Sequence, residues 1–309
     1  MPLTDKVFWH RYDQVYKTAF GSLTRVDRIL EFGVFRGESI RWLRQLYPEA
    51  TIVGVDIVTE RDEWPRDDKI QYVQLDQGNT QELRALASRH KSPFDLVIED
   101  GSHHPQHQKN CLVELLPGIR AGGVYVLEDI HTSSAELRAQ GVFRPGAISF
   151  ATSARIASVI PASQRHGYLP LRLMRVGESL WSLRRKAAIK FEQTGLASYL
   201  KGVAASRRSR HAFVNPLSVL LAIERARMAG RRLSEEEVIT LSVGPYFTHE
   251  EVRLVDSLVK DVMIYQRTGL PVLCHSCHGM DFDYASMTCR CGVYLATQDD
   301  SMTAVLILE

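Results

Sequence analysis

RILEFGVFRGES, Arg28–Ser39, is the stretch on which the fold is decided. A short apolar run with the length of a buried strand stops at Gly33, a second glycine follows at Gly37, and a helical pattern then opens at Ser39. Glycine at a strand-to-helix turn tolerates a sharp bend and lets the backbone approach a ligand. Outward from this stretch the same rhythm repeats: SIRWLRQLY, TIVGVDI, QELRALASRH, FDLVIEDG, HQKNCLVELLPGI and GGVYVLEDI. Buried strands alternating with amphipathic helices predict an α/β fold built on a doubly wound, mostly parallel sheet.

Upstream, Phe8, Trp9, Tyr12, Val15, Tyr16 and Phe20 recur at helical spacing, predicting one amphipathic helix that packs on the core. Downstream, from about Phe150 to Arg232, the α/β rhythm gives way to helical stretches such as SLWSLRRKAAIKF and PLSVLLAIERARMA. Arg165 to Arg232 holds 15 Lys or Arg against 3 Asp or Glu, although the whole chain carries only +2. That asymmetry marks a separate module. Thr248 and Glu251 form a capping-box pattern opening a helix expected to run to about Tyr265, and the chain finishes in SMTAVLILE, a strand able to complete the sheet. The expected organisation is a Rossmann-like core over 1–149, a basic and mainly helical insert or lid over 150–247, a helix plus cysteine module over 248–300, and a closing strand over 301–309. The best apolar run, Leu217 to Ile223, is far short of the roughly 20 residues of a membrane span. Without signal-peptide order at the N-terminus, a cytoplasmic protein is expected.

Candidate cofactor residues lie at successive strand ends. Glu31, Gly33, Gly37 and Ser39 surround the first turn, Asp56 ends GVDI where a carboxylate can accept ribose hydroxyls, and Asp76 and Gln77 follow the third strand, placed to address an adenine. Singly, the glycines read equally well as turn residues and the aspartates as helix caps. As an ordered set they favour a nucleotide-like cofactor, because ligands of open α/β sheets bind at the carboxyl ends of the strands. The G-x-x-x-G spacing lacks the G-x-G-x-x-G of dinucleotide sites, which argues against NAD.

FDLVIEDGSHH and GGVYVLEDIHTS deliver acids and histidines to the same edge. Adjacent parallel strands are about 4.8 Å apart, so Asp100, Glu128 and Asp129 can converge on one ion. An oxygen-rich site without thiolate suits Mg²⁺ or Mn²⁺, and such an ion lowers the pKa of a bound substrate hydroxyl. His103, three residues after Asp100, is the candidate base, with His104 as the alternative.

On LEFGVFRGES, IEDGSHH and GGVYVLEDIHTS, the chain from about Ile29 to Ser133 resembles the metal-dependent sugar O-methyltransferases of the macrocin, mycinamicin and novobiocin pathways. The resemblance implies a class I fold, S-adenosylmethionine (SAM) as cofactor, metal ligation by Asp100, Glu128 and Asp129, and His103 or Asp100 as general base. It also implies a sugar acceptor with vicinal hydroxyls, in natural-product or polysaccharide biosynthesis. Outside that range the chain departs from the family, through the basic insert and the cysteine module.

Cys274 and Cys277, then Cys289 and Cys291, give two close thiol pairs, enough for a closed tetrahedral zinc site in a small ribbon. The C-x-C half is less usual than C-x-x-C, which leaves His275 and His278 as substitute ligands. Cys111, among Leu112, Leu115 and Leu116, reads as core. The basic insert suggests an anionic acceptor, whether metabolite or glycan. The competing reading is an RNA methyltransferase gripping nucleic acid with insert and ribbon; the acids disfavour it, since methylating a base needs no metal. A small-molecule or glycan substrate and a homo-oligomeric assembly are the expected partners.

Overall fold

The computed structural model describes residues 4–21, 23–89, 92–130, 132–133, 214–266, 273–274, 276–283, 288–293 and 302–309. The expected helix SLWSLRRKAAIKF, most of the basic segment, His131 and His275 lie outside these residues.

Seven strands form one sheet in the order β3-β2-β1-β4-β5-β9-β6. They are β1 (Arg28–Phe32), β2 (Thr51–Asp56), β3 (Ile70–Gln74), β4 (Phe94–Glu99), β5 (Ile119–Leu127), β6 (Val259–Gln266) and β9 (Met302–Leu308). β1 to β5 are parallel, while β9 runs antiparallel between β5 and β6. The order reverses between β1 and β4, the switch point beside which ligands of such sheets bind.

Period-2 alternation sorts the strand residues onto two faces. Leu30, Phe32, Val53, Val55, Val97, Tyr125 and Leu127 meet α4 (Thr80–Arg89), α5 (Pro105–Leu115), α6 (Pro216–Met228), α7 (Glu235–Leu241) and α8 (His249–Leu258) in one core. Ile29, Ile52, Leu96, Ile98, Val124 and Val126 meet α2 (Asp13–Phe20) and α3 (Glu38–Leu46) in the other. Leu217, Leu220 and Ile223 of α6 are fully buried, each burial worth about 1.5–3 kcal/mol. The far end of the segment expected as an insert therefore packs into the same core as α5 and β6.

Two expectations are corrected. The N-terminal stripe forms not one helix but α1 (Asp5–Phe8) and α2, separated by a turn in which Arg11 takes φ +60°. The capping box of Thr248 and Glu251 does open a helix, but this ends at Leu258 and the chain passes directly into β6. Val259, Val262 and Ile264 are β-branched and buried along β9, and that cross-strand packing overrides continuation of the helix. The small hairpin of β7 (Phe282–Asp283) and β8 (Thr288–Cys289) stands apart from the main sheet. No helix of the described residues is long and apolar enough to cross a membrane.

Candidate functional site

A cavity of about 400 Å³ opens over the carboxyl ends of β1 to β4. Gly33, Ser39, Asp56, Asp76, Gln77, Asp100, His103 and Asp129 line it, whereas Glu31, Gly37 and Glu128 are not among its lining residues. Gly33 sits at φ +87°, and a Cβ there would lie 1.9 Å from the Asp100 carbonyl oxygen. It is glycine because the loops after β1 and β4 touch. Gly37, at φ +72°, leaves room for Pro65, whose Cδ a Cβ would meet at 2.5 Å. Both glycines thus shape the loop around the cavity.

Asp56 Oδ2 accepts the backbone N–H groups of Val34 and Phe35 at 2.9 and 3.1 Å, tying the β1 loop to β2. Each carboxylate oxygen has two acceptor sites, so capacity for a ligand remains. Asp76 caps its own turn by accepting from Gly78 N at 2.8 Å. Gln77 is committed inward: Nε2 donates to Glu99 Oε1 at 2.5 Å and Oε1 accepts from Ser102 N at 2.8 Å, so it braces the β4 loop. Phe35 and Ile57, at 62% and 64% exposure, supply an apolar rim that the motif reading passed over. Glu31 is fully buried, and neither of its carboxylate oxygens has a hydrogen-bond partner. Burial pushes its carboxyl up to about 7 against the pull of the Lys6 ammonium, 3.7 Å away. Behind the cavity-lining Ser39 and Lys6, which pull its carboxyl down, Glu31 keeps spare acceptor capacity that fits a ligand bringing an ammonium group.

The acids beyond β4 and β5 face the α2 side. Alternation carries the register from Ile98 to Asp100 and from Val126 to Glu128, both toward Tyr16 and Lys6. Asp129 would point away from Glu128 in an extended chain; its φ of +49° turns it back toward Asp100. Ligand atoms of Asp100, His103 and Asp129 lie within 4.8 Å of one another. His103 Nε2 is 3.9 Å from Asp100 Oδ1 and 3.7 Å from Asp129 Oδ2, while its Nδ1 is buried without a hydrogen-bond partner. Two carboxylates and an imidazole at this spacing fit a divalent cation. Glu128 is placed differently: its Oε1 accepts from Lys6 Nζ at 2.8 Å and from the Tyr16 hydroxyl. His104 caps α5 through Gln106 N, away from the acids.

Lys6, Tyr12 and Tyr16 are the residues that reading the sequence missed. Lys6 is 1% exposed and bridges Asp100 Oδ2 and Glu128 Oε1, and these carboxylates with Glu31 hold it protonated against the cost of burial. The Tyr12 hydroxyl donates to Asp129 Oδ1 at 2.7 Å. Burial raises both Asp100 and Glu128 against the pull of the Lys6 ammonium; Asp129 raises Asp100 further, and Asp100 raises Glu128. The available signal was the tyrosine pair four residues apart, which puts two hydroxyls on one otherwise apolar helix face.

Near the C-terminus, Cys274, Cys277, Cys289 and Cys291 also gather within 4.8 Å. Sγ separations of 3.7 Å (Cys274 to Cys291) and 3.5 Å (Cys277 to Cys289) lie close to the edge of a zinc–thiolate tetrahedron, roughly 3.8 Å for Zn–S bonds of 2.3 Å. The sulfurs of Cys274 and Cys277 accept backbone N–H bonds from Ser276 and Gly279 at 3.4 and 3.3 Å, which stabilises thiolate. His278 instead stands edge-on to Phe8, and Cys111 is buried in the core beside Gln77.

Residues 30–130 match the family model for a methyltransferase domain. Among characterised proteins, the chain is 35% identical over 150 residues to the 8-demethyl-8-(2-methoxy-alpha-L-rhamnosyl)-tetracenomycin-C 3'-O-methyltransferase of Streptomyces olivaceus, covering 43% of this chain and 37% of that protein. It is 37% identical over 115 residues to the mycinamicin VI 2''-O-methyltransferase of Micromonospora griseorubida, covering 34% and 28%. The MycE methyltransferase of the mycinamycin pathway, solved with Mg, SAH and mycinamycin VI, is 33% identical over 41% of this chain and 36% of that one, with a TM-score of 0.38. The chain thus spans 37% and 28% of the length of these two curated relatives. Its seven-stranded mixed sheet is consistent with the class I fold, and residues 30–130, which match the methyltransferase-domain model, resemble the sugar O-methyltransferases.

Proposed function

We propose that this chain is a SAM-dependent, divalent-metal-dependent O-methyltransferase acting on a hydroxyl of a sugar or other polyhydroxylated compound. The observation that carries the reading is the convergence of Asp100, His103 and Asp129 at the rim of a cavity lined by Gly33, Asp56 and Asp76. SAM would sit along Glu31, Gly33, Gly37, Ser39 and Asp56, its ammonium group beside the unfilled Glu31 carboxylate and its ribose beside Asp56, with Asp76 and Gln77 on the adenine side. Asp100 and Asp129 would hold Mg²⁺ or Mn²⁺, with Glu128 behind them. When bound, the ion supplies Lewis-acid polarisation of a substrate hydroxyl. His103, at the open edge of the cluster, takes the proton from that hydroxyl as its oxygen attacks the methyl group; Asp100 is the other residue able to do so. The four cysteines would hold a structural zinc, with no position left open for chemistry.

The test is methyl transfer to a panel of glycosylated natural products, nucleotide sugars and oligosaccharides, with Mg²⁺ or with EDTA, beside calorimetry with S-adenosylhomocysteine (SAH). SAH is expected to bind in EDTA while turnover requires the metal. Full turnover in EDTA, or in Asp100→Ala, would sink the metal-assisted mechanism. His103→Ala is expected to lower kcat by about 10²–10⁴-fold with Mn²⁺ still bound, the scale of a lost general base. Loss of Mn²⁺ binding instead would make His103 a ligand. Elemental analysis finding no zinc in the purified chain would remove the zinc assignment.

A further inference from the structure

The segment that carries Lys6 has little to hold it in place on its own. Helix α1 is four residues long, and its Thr4 cap makes no side-chain hydrogen bond. A helix so short is not stable by itself in water. Yet Thr4, Asp5, Lys6 and His10 form one wall of the cavity, and Lys6 reaches Asp100, Glu128 and Glu31. On its other side, α1 presents Phe8 and Trp9, 7% and 4% exposed, to Leu273, Phe282 and Val293. These three residues belong to the cysteine module: Leu273 precedes Cys274, Phe282 pairs with Cys289 across the hairpin, and Val293 bonds back to Cys289 N through its carbonyl at 2.7 Å. His278, next to Cys277, meets the Phe8 ring edge-on at 5.8 Å between centroids. The module has strands of only two residues, so its shape depends on whatever joins its four sulfurs.

We infer that the metal-loaded cysteine module is the mount for α1, and that Lys6, set by this mount among Glu31, Asp100 and Glu128, is a positioning residue for the catalytic acids. This rests on the methyltransferase and zinc readings above and gives the cysteine site a purpose in turnover. Lys6 keeps buried like charges apart and in fixed directions; without it they would repel. The module meets α1 through the packing of Phe8 and Trp9 and the edge-on His278 ring, so zinc need not approach the reaction to govern it.

Hydrogen–deuterium exchange of the full chain, read on peptides spanning residues 4–20 with β1 as the internal reference, tests this. Zinc-loaded wild type is compared with chelator-stripped protein, with Cys277→Ser, and with the double variant Phe8→Ala/Trp9→Ala. Stripping and Cys277→Ser are expected to raise exchange over 4–20 at least tenfold, leave β1 unchanged, and lower kcat at least tenfold. Phe8→Ala/Trp9→Ala should give the same exchange and kcat losses while keeping one zinc per chain, which a purely local zinc role would not produce. Unchanged exchange over 4–20 after removal of a zinc that was present overturns the mount and leaves the zinc assignment standing. A wild-type chain that neither contains zinc nor takes up Co²⁺ with thiolate charge-transfer absorption overturns both. Loss of β1 protection in Cys277→Ser would mean global unfolding, and the double variant then decides.

Discussion

Lys6 and a divalent ion seek the same oxygens. The ammonium touches Asp100 and Glu128, while Asp100 also belongs to the trio spaced for a cation. Removing a unit charge a few Å from a bound ion relieves several kcal/mol of repulsion even at an effective dielectric of about 20. Lys6→Met is therefore expected to bind Mn²⁺ more tightly, by roughly a hundredfold or more, at pH 8 by calorimetry while turning over more slowly; weaker Mn²⁺ binding would show that the ammonium orders the site without competing in it. Asp95, at the end of β4 opposite Asp100, has an architectural task. It accepts Asp27 N and Arg28 N at 2.7 and 2.8 Å and pairs with Arg120. Burial works to raise its carboxyl, but Arg120 and the two N–H groups overcome this and hold it below the usual range. A depressed folded-state pKa gives stability that is complete above the unfolded value, near 3.9, and is lost as pH falls through the folded value. Asp95→Asn should cost about 1.5–3 kcal/mol at pH 7 in urea denaturation, with the gap to wild type closing as the pH falls through the depressed folded-state value.

Among the elements, α8 and α5 are joined at a capping box. Thr248 Oγ1 accepts Glu251 N at 3.2 Å and Glu251 Oε2 accepts Thr248 N at 2.8 Å, while Glu251 Oε1 accepts Lys109 Nζ of α5 at 2.5 Å. Thr248→Ala should cost about 1 kcal/mol, the worth of a cap. Glu251→Ala should cost about 2–3 kcal/mol, because it also leaves Lys109, 9% exposed, without its carboxylate. Equal losses in the two variants, measured by urea midpoints, would mean that the Lys109 contact adds nothing. This helix start was legible in the sequence because a capping box is local chemistry. Its end was not: no glycine or proline separates Leu258 from Val259, and the strand exists because β9, some forty residues later, pairs with it. β1 to β5 were legible because each is an apolar run closed by a chemically distinct residue. Asp100, Asp129 and His103 were legible because they follow those strand ends, whereas Lys6 looked like any surface lysine. Its burial depends on acids 94 and 122 positions away, which no local pattern encodes.

For the molecule as a whole, ligand linkage measures how its parts communicate. A ligand that binds only the folded chain stabilises it by about 2.7 kcal/mol at a hundred times its Kd, which for a protein of this size shifts Tm by roughly 4 °C. SAH is expected to do this without metal, and Mn²⁺ to add a further shift. The two should not be independent, because Glu31, proposed for the cofactor, and Asp100 and Glu128, proposed for the metal, share the Lys6 ammonium. An ammonium brought to Glu31 by SAH changes how strongly that carboxylate holds Lys6, and so how freely the acids can take a cation. Linkage requires the effect to be mutual: SAH must change the Mn²⁺ affinity by the same factor as Mn²⁺ changes the SAH affinity. Calorimetry of each ligand with and without the other should give matching factors of about five or more, the lower range of typical coupling energies, and Glu31→Gln should reduce both toward one. Strict additivity in the wild type would mean that Lys6 does not connect the two halves of the site, and would leave its three-carboxylate contact a matter of folding alone.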